Sequence, residues 1–278
     1  MACRSLKTSW QLELFMLKKR MIFALLFDNG EYMLSRNFRL QKVGNLEWLQ
    51  KNYVFSRISF SIDELIVLNV TRGEKNDELF RTHIRTLSEE CFIPIAAGGG
   101  IRNIHQAKEL LRSGADKIVV NTPLYSNQEL VYSLSEEFGS QCIVASVDVR
   151  NENGDYSIWI ENGSRKIEID VKEYLLNLLN MPIGEIYYNS IDRDGTGQGY
   201  LMEMLDILPD VISIPIIIAG GAGKYHHLSE GLKNDQVDAV ATAHLFNFVG
   251  DGLIKAREGL LEEGYDLANW ATNKTALT

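Results

Sequence analysis

Ile93-Pro-Ile-Ala-Ala-Gly-Gly-Gly100 and Ile214-Pro-Ile-Ile-Ile-Ala-Gly-Gly221 are near copies of one another. Each is a short β-branched run that ends in glycines, the pattern of a strand followed by a tight turn. Two further pairs keep the same spacing. Ala115-Asp-Lys-Ile-Val-Val-Asn-Thr122 resembles Val237-Asp-Ala-Val-Ala-Thr-Ala-His244, and Glu64-Leu-Ile-Val-Leu-Asn69 resembles Glu185-Ile-Tyr-Tyr-Asn-Ser190. By subtraction the three pairs lie 121 or 122 positions apart. A common offset across three strands means that the second half of the chain repeats the first.

Working outward, eight short apolar runs read as strands: Ile22–Phe27, Glu64–Val70, Ile93–Ala97, Lys117–Val120, Ile143–Val149, Glu185–Ser190, Ile214–Ala219 and Ala239–Thr242. They are apolar throughout instead of alternating, as in a parallel sheet covered on both faces. Amphipathic segments between them predict helices over Glu78–Glu90, Ile104–Ser113, Gln128–Phe138, Val171–Leu179, Tyr200–Leu208 and His226–Leu232. Four strand–helix units per half predict a (β/α)8 TIM barrel with a two-fold half-barrel repeat. Asn153-Gly154 and Asn162-Gly163 flank Tyr156–Ile160 and predict a hairpin on top of the fifth strand.

The chain has 278 residues, and a single barrel is expected over 16–278. Residues 1–15 read as an N-terminal extension outside the repeat, its order left open because Trp10, Leu12, Leu14 and Phe15 could form an apolar face. The net charge of −9 argues against a duplex nucleic-acid partner, which would want a basic stripe. No apolar run approaches the ~18 residues of a membrane span, so no membrane partner is expected. Lys18-Lys19-Arg20 before Ile22–Phe27 has the look of a secretion signal, but Asp28-Asn29-Gly30 ends the apolar run too early. Three cysteines without a metal or disulfide spacing suggest a cytoplasmic protein in which Cys91 and Cys142 are packing residues. His226 and His227 are adjacent and cannot share a helix face, His83 and His105 read as helix-surface residues, and neither a metal nor another cofactor is expected.

In such barrels function sits at the C-terminal ends of the strands. The repeat places two anion sites there: Gly99, Gly100, Asn121 and Thr122 in the first half, and Gly220, Gly221, Gly223 and His244 in the second. Glycines let the backbone approach an anion and aim N–H groups at it, and a following helix adds its dipole. Two opposed sites suggest a ligand phosphorylated at both ends. Asp148 ends the fifth strand and Asp194 lies in Ser190-Ile-Asp-Arg-Asp-Gly-Thr196 after the sixth, both candidates for acid–base work. Either could instead serve only to cap a loop.

From about Met16 to Leu260 these motifs resemble the cyclase subunit (HisF) of imidazole glycerol phosphate synthase. The resemblance implies a barrel that takes ammonia from a glutaminase (HisH-like) subunit docked on its bottom face. At the top face ammonia then attacks a doubly phosphorylated ribulosyl nucleotide. It adds Gly195 to the phosphate-binding residues, assigns Arg20, Glu64, Lys117 and Glu185 to the ring at the ammonia entrance, and places Asp116 at the partner interface. Those four charges would otherwise read as solvated strand starts.

The match is uneven at the top. Of the two aspartates that the family uses as acid and base, one is Asp148 and the other falls on Leu26, where the 122-residue offset from Asp148 also leads. An expected lysine falls on Leu34, an expected aspartate on Asn69 and an expected serine on His244. Asp28 could stand in for Leu26 only through a shift in register. The resemblance therefore implies a divergent paralogue that binds a glutaminase and conducts ammonia. Its acceptor would be a sugar amidotransferase of the kind found in surface-polysaccharide (lipopolysaccharide) synthesis. The alternative is a working cyclase (a lyase) in histidine biosynthesis. A third reading, a phosphosugar isomerase barrel, would need carboxylates on both the first and fifth strands.

Overall fold

Pro94 and Pro215 decide where two of the strands begin. Lacking an N–H they cannot donate to the ladder, so the strands predicted from Ile93 and Ile214 start at Ile95 and Ile216. Their carbonyls are still used, accepting from Leu65 (2.9 Å) and Ile186 (2.9 Å). The computed structural model describes residues 18–209 and 212–268. The extension predicted over 1–15 lies outside them.

All eight predicted strands are present. They are β1 (Arg20–Asp28), β4 (Glu64–Asn69), β5 (Ile95–Gly98), β6 (Lys117–Val120), β7 (Ile143–Glu152), β10 (Glu185–Ser190), β11 (Ile216–Ala219) and β12 (Ala239–Thr242). Each pairs in parallel with the next, and β12 returns to pair with β1, with Arg20 opposite Ala239 and Phe23 opposite Thr242. The sheet is closed, and the fold is a (β/α)8 barrel. Alternation along the strands divides the apolar residues into two cores. Ile22 and Ala24 face the barrel interior with Ile66, Val144 and Tyr187, whereas Phe23, Leu25 and Phe27 face the surrounding helices. Both sets must be apolar because both faces are covered, which is why the strands read as unbroken apolar runs.

The surrounding helices are α1 (Leu46–Asn52), α2 (Phe55–Ile58), α3 (Asp77–Glu90), α4 (Ile104–Arg112), α5 (Pro123–Ser126), α6 (Gln128–Phe138), α7 (Val171–Leu179), α8 (Tyr225–Leu232) and α9 (Gly252–Glu262). Asn76, Asn103, Asn127 and Asp170 start four of them, each accepting from the backbone N–H three residues on. No helix among the described residues is long and apolar enough to cross a membrane.

Two expectations need correction, and one hairpin was not anticipated. The helix predicted over Tyr200–Leu208 is a 3₁₀ turn, Met202–Ile207. Leu208 precedes Pro209 and is held out of the helical region at φ −58°, ψ 144°, while Tyr200 turns inward to donate to the Ala241 carbonyl (2.9 Å). His83 is not on the helix surface. It packs edge-on against Phe27 at 4.8 Å and bonds the Tyr32 hydroxyl at 3.1 Å. The loop after β1 is itself a hairpin, β2 (Glu31–Arg36) and β3 (Arg39–Asn45), turned by Asn37 and Phe38 at positive φ. The second hairpin forms where Asn153-Gly154 predicts it, between β7 and β8 (Asp155–Ile160), and β9 (Arg165–Lys166) follows the Asn162-Gly163 turn.

The repeat extends to single hydrogen bonds. Asp116 accepts from the Ile95 N–H and Asp238 from the Ile216 N–H, both at 2.8 Å. The glycine turns match as well. A Cβ on Gly99 would lie 2.2 Å from the Asn69 carbonyl, and one on Gly220 would lie 2.5 Å from that of Ser190. Both glycines have positive φ, +108° and +88°. Gly99→Ala and Gly220→Ala should each cost roughly 2–4 kcal/mol, against about 1 kcal/mol for Gly154→Ala, which has the same φ sign but open space around it. Urea unfolding of the three variants checks the ranking.

Candidate active site

The strand ends enclose a cavity of about 790 Å³ at the top of the barrel. Leu26, Asn69, Asn121, Asp148 and Asn189 each line it from a different strand or strand end, and Tyr187 and Ala241 line it from lower in the barrel. Leu26 shares the inward parity of Ile22 and Ala24, so its isobutyl group, and not the end of a carboxylate, stands at the mouth of β1. Asp28 has that parity too, but it pairs with Glu31 in the hairpin and does not line the cavity.

Asp148 is the buried acid of this mouth. Its carboxylate accepts from Asn121 Nδ2 (3.1 Å) and Asn189 Nδ2 (2.9 Å), which reach in from the two neighbouring strands. Burial pushes its pKa up to about 7, the Asn189 bond pulls it back, and the charge of Asp194 adds to the rise. A carboxyl poised near neutrality can either give or take a proton. Asn121, read from sequence as a phosphate ligand, spends its amide on Asp148 and on the Ser146 carbonyl (3.0 Å).

The Ser190–Thr196 turn holds down the lids of the cavity. Asp194 accepts from the Ser35 hydroxyl and the Phe38 N–H (3.0 Å) of the β2–β3 hairpin, and burial pushes its carboxyl above the usual range. Asp192 accepts from the Asn151 N–H (2.6 Å) of the β7–β8 hairpin. Gly195 fits because a Cβ there would lie 1.7 Å from the Ser35 carbonyl. Asp194 thus lines the cavity and also fastens its cover.

Gly99, Gly100, Gly220, Gly221, Thr122 and His244 all line the cavity. Gly223 does not, and its N–H donates to His227 Nδ1 (3.2 Å). Its counterpart in the first half, the Arg102 N–H, is spent on Gln106 (2.9 Å) in the same way. The Thr122 hydroxyl accepts from the Glu161 N–H (3.2 Å) and so ties the first turn to the β8–β9 hairpin. Burial holds the His244 imidazole below its usual pKa, and its Nδ1 accepts from the Asn247 N–H at 3.4 Å. That bond assigns the proton to Nε2, leaving a neutral donor beside the second turn. Lys75 has no counterpart in the sequence reading: it sits in an irregular loop with no periodicity or motif, and only the fold brings it to the cavity wall.

At the opposite end, the first residues of four strands meet. Arg20 Nη1 bridges Glu64 (3.0 Å) and Glu185 (2.9 Å), and Lys117 Nζ bridges the same two carboxylates at 2.7 and 3.1 Å. The four residues form a closed ring of alternating sign. Burial pushes the Glu64 carboxyl upward against the pull of Lys117 and Arg20. The second oxygens, Glu64 Oε1 and Glu185 Oε2, have no partner among the described residues. Asp116 beside the ring is exposed, with its carboxylate on the Ile95 amide.

A family model described as "Histidine biosynthesis protein" matches residues 53–250. The chain is 44% identical over 256 residues to "Putative imidazole glycerol phosphate synthase subunit hisF2" of Parasynechococcus marenigrum (strain WH8102), covering 92% of this chain and 95% of that one. It is 32% identical over 250 residues to "Imidazole glycerol phosphate synthase subunit HisF" of Chlorobium phaeovibrioides (strain DSM 265 / 1930), covering 90% and 98%. The chain belongs to the HisF family of histidine biosynthesis proteins. The position opposite Asp148 in the half-barrel repeat of this chain is Leu26.

The raised pKa of Asp148 has a measurable consequence. Folded chains keep this proton up to about pH 7, whereas an unfolded aspartate loses it near ~4. Between those values the native state binds the extra proton, so the Asp148 contribution to stability falls as pH rises and is constant above the window. In Asp148→Asn that fall should be absent from the stability–pH profile between about pH 4 and 7, whatever the variant's absolute stability. Chemical denaturation at a series of pH values reads it.

Proposed function

We propose that this chain is the synthase-side subunit of a glutamine amidotransferase pair. It binds a glutaminase of the HisH type at the bottom of the barrel and passes ammonia through the interior to an acceptor at or beyond the top face. The observation that carries this reading is a contrast within one molecule: the basal charge ring is closed while the strand-1 acid is Leu26. Four paired charges at the axis suit a port that a docked partner opens by shifting one of them. Above the ring the interior is apolar and rich in short side chains, with Ala24, Ala96, Ala219, Ala239 and Ala241 among its members. An apolar passage favours neutral ammonia over ammonium, whose desolvation is costly. Phe60 and Phe92, exposed at 49% and 83% at the same end, offer apolar contacts for the partner.

Asp148, Asp194 and the two glycine turns support retained binding of a doubly phosphorylated ligand. Leucine transfers no proton, so cyclisation that needs an acid and a base on opposite strands is severely slowed. A sugar amidotransferase of surface-polysaccharide synthesis is the ammonia acceptor of this reading, by analogy with paralogues of the same pair. The second reading, an active cyclase of histidine biosynthesis, draws on Asp148 poised near neutrality in a cavity that both glycine turns line.

Two experiments separate these readings. With the ribulosyl nucleotide and ammonium salts, the wild type should form imidazole product near background, and Leu26→Asp should raise the rate at least tenfold. Wild-type turnover matching the Chlorobium relative side by side would establish the cyclase reading instead. With a co-expressed glutaminase, the wild type should stimulate glutamine hydrolysis and Phe92→Ala should weaken the association several-fold. A wild type that fails to stimulate any co-encoded glutaminase would remove the conduit.

A further inference from the structure

Three cations stand on one side of the cavity with no acid to pair them. Arg72, Lys75 and Arg102 are the Lys and Arg residues that line it. Among the described residues none of the three forms an ion pair. Asp148, Glu161 and Asp194 line the same cavity, but none of them is within ion-pair distance of the three. All three cations belong to the first half. At the second-half turn Arg193 packs its Cβ against Gly221 but does not line the cavity.

Lys75 is the innermost of the three. It is half-buried and donates to the Asn69 carbonyl (2.9 Å) and Asn69 Oδ1 (3.3 Å), so that one ammonium proton is unspent. Its Cε lies 2.8 Å from where a Cβ on Gly100 would be, which lays the arm across the first glycine turn. Burial lowers its pKa, Asp77 and Asp28 oppose that, and Arg102 adds to it. The orientation of Asn69 is settled, because Oδ1 also accepts from the Thr71 N–H at 3.2 Å. Asn69 Nδ2 and the Thr71 hydroxyl are then left without partners, in residues only 1% and 4% exposed that both line the cavity. Unpaired buried donors beside an unpaired cation are costly in isolation and favourable once an anion accepts from them.

We propose that the two phosphate subsites are unequal. The first-half subsite, with Lys75 as counter-ion and Asn69 and Thr71 as further donors, anchors a phosphoryl dianion. The second, with neutral His244, holds the other end of the ligand more weakly. This deepens the phosphate-binding part of the proposed function and rests on it. It fixes the polarity with which a ligand lies across a mouth that the repeat alone would leave symmetric.

Isothermal titration of the full-length protein with inorganic phosphate, a pentose 5-phosphate and malonate tests the inference. Wild type should bind the first two saturably and malonate poorly. Lys75→Met should weaken phosphate at least tenfold, Lys75→Arg should retain affinity within about threefold, and His244→Ala should change it by less than about twofold. Far-UV circular dichroism confirms that each variant is folded, and Lys75→Arg keeps the test open if the methionine variant is not. Equal binding by wild type and Lys75→Met, a larger loss in His244→Ala, or a preference for malonate would overturn it. Wild type that binds phosphate independently of Lys75 would overturn this inference alone, whereas wild type that stimulates a glutaminase but binds no phosphate would also remove the phosphate-binding part of the proposed function. Binding that depends on Lys75 without glutaminase stimulation would support it while removing the ammonia conduit.

Discussion

Closure of the sheet through the β12–β1 pairing is the constraint on which everything else depends. Pairing Arg20 with Ala239 and Ile22 with Glu64 sets the register of β1 on both sides at once. A slip of one residue would exchange the inward and outward sets along the whole strand. Phe23, Leu25 and Phe27 would be forced into an interior built for Ile22 and Ala24. The same register puts Arg20 at the bottom beside two carboxylates and Leu26 at the top facing the cavity. Basal ring and mouth are thus two ends of one ruler, and neither can be altered by sliding the strand.

Within that frame the two halves have diverged where chemistry is at stake and kept their agreement where backbone geometry is at stake. Asp116 and Asp238 make the same bond, and Gly99 and Gly220 avoid the same clash. The positions that differ are side chains projecting into the cavity: Leu26 against Asp148, Asn121 against Ala243, Thr122 against His244. Duplicated structure is retained because a strand end admits few turns.

Much of this was legible in the sequence. Unbroken apolar runs gave the strands, since a strand buried on both faces cannot hide its composition. The offset of 121 or 122 gave the glycine turns and the place opposite Asp148. What could not be read was tertiary. The Tyr200–Leu208 segment has helical periodicity, but Pro209 and the inward turn of Tyr200 override it. Phe38 takes a positive φ that an aromatic residue rarely adopts, so no turn signal announced the β2–β3 hairpin. His83 looked like a surface residue because only the packed hairpin supplies Tyr32 above it. The cavity wall that Lys75 joins is assembled from residues far apart in sequence, whereas the four ring residues were named by the family resemblance.

The Asp192–Asp194 turn binds two separate hairpins by adjacent carboxylates, and Arg72 joins them again through the carbonyls of Phe38 (2.7 Å) and Asn162 (3.5 Å). The two covers share their supports, one turn and one arginine. Loosening the pin frees both, and a ligand that presses on either transmits the strain to the other. A substitution that distorts this turn therefore disturbs the anchoring of both hairpins at once.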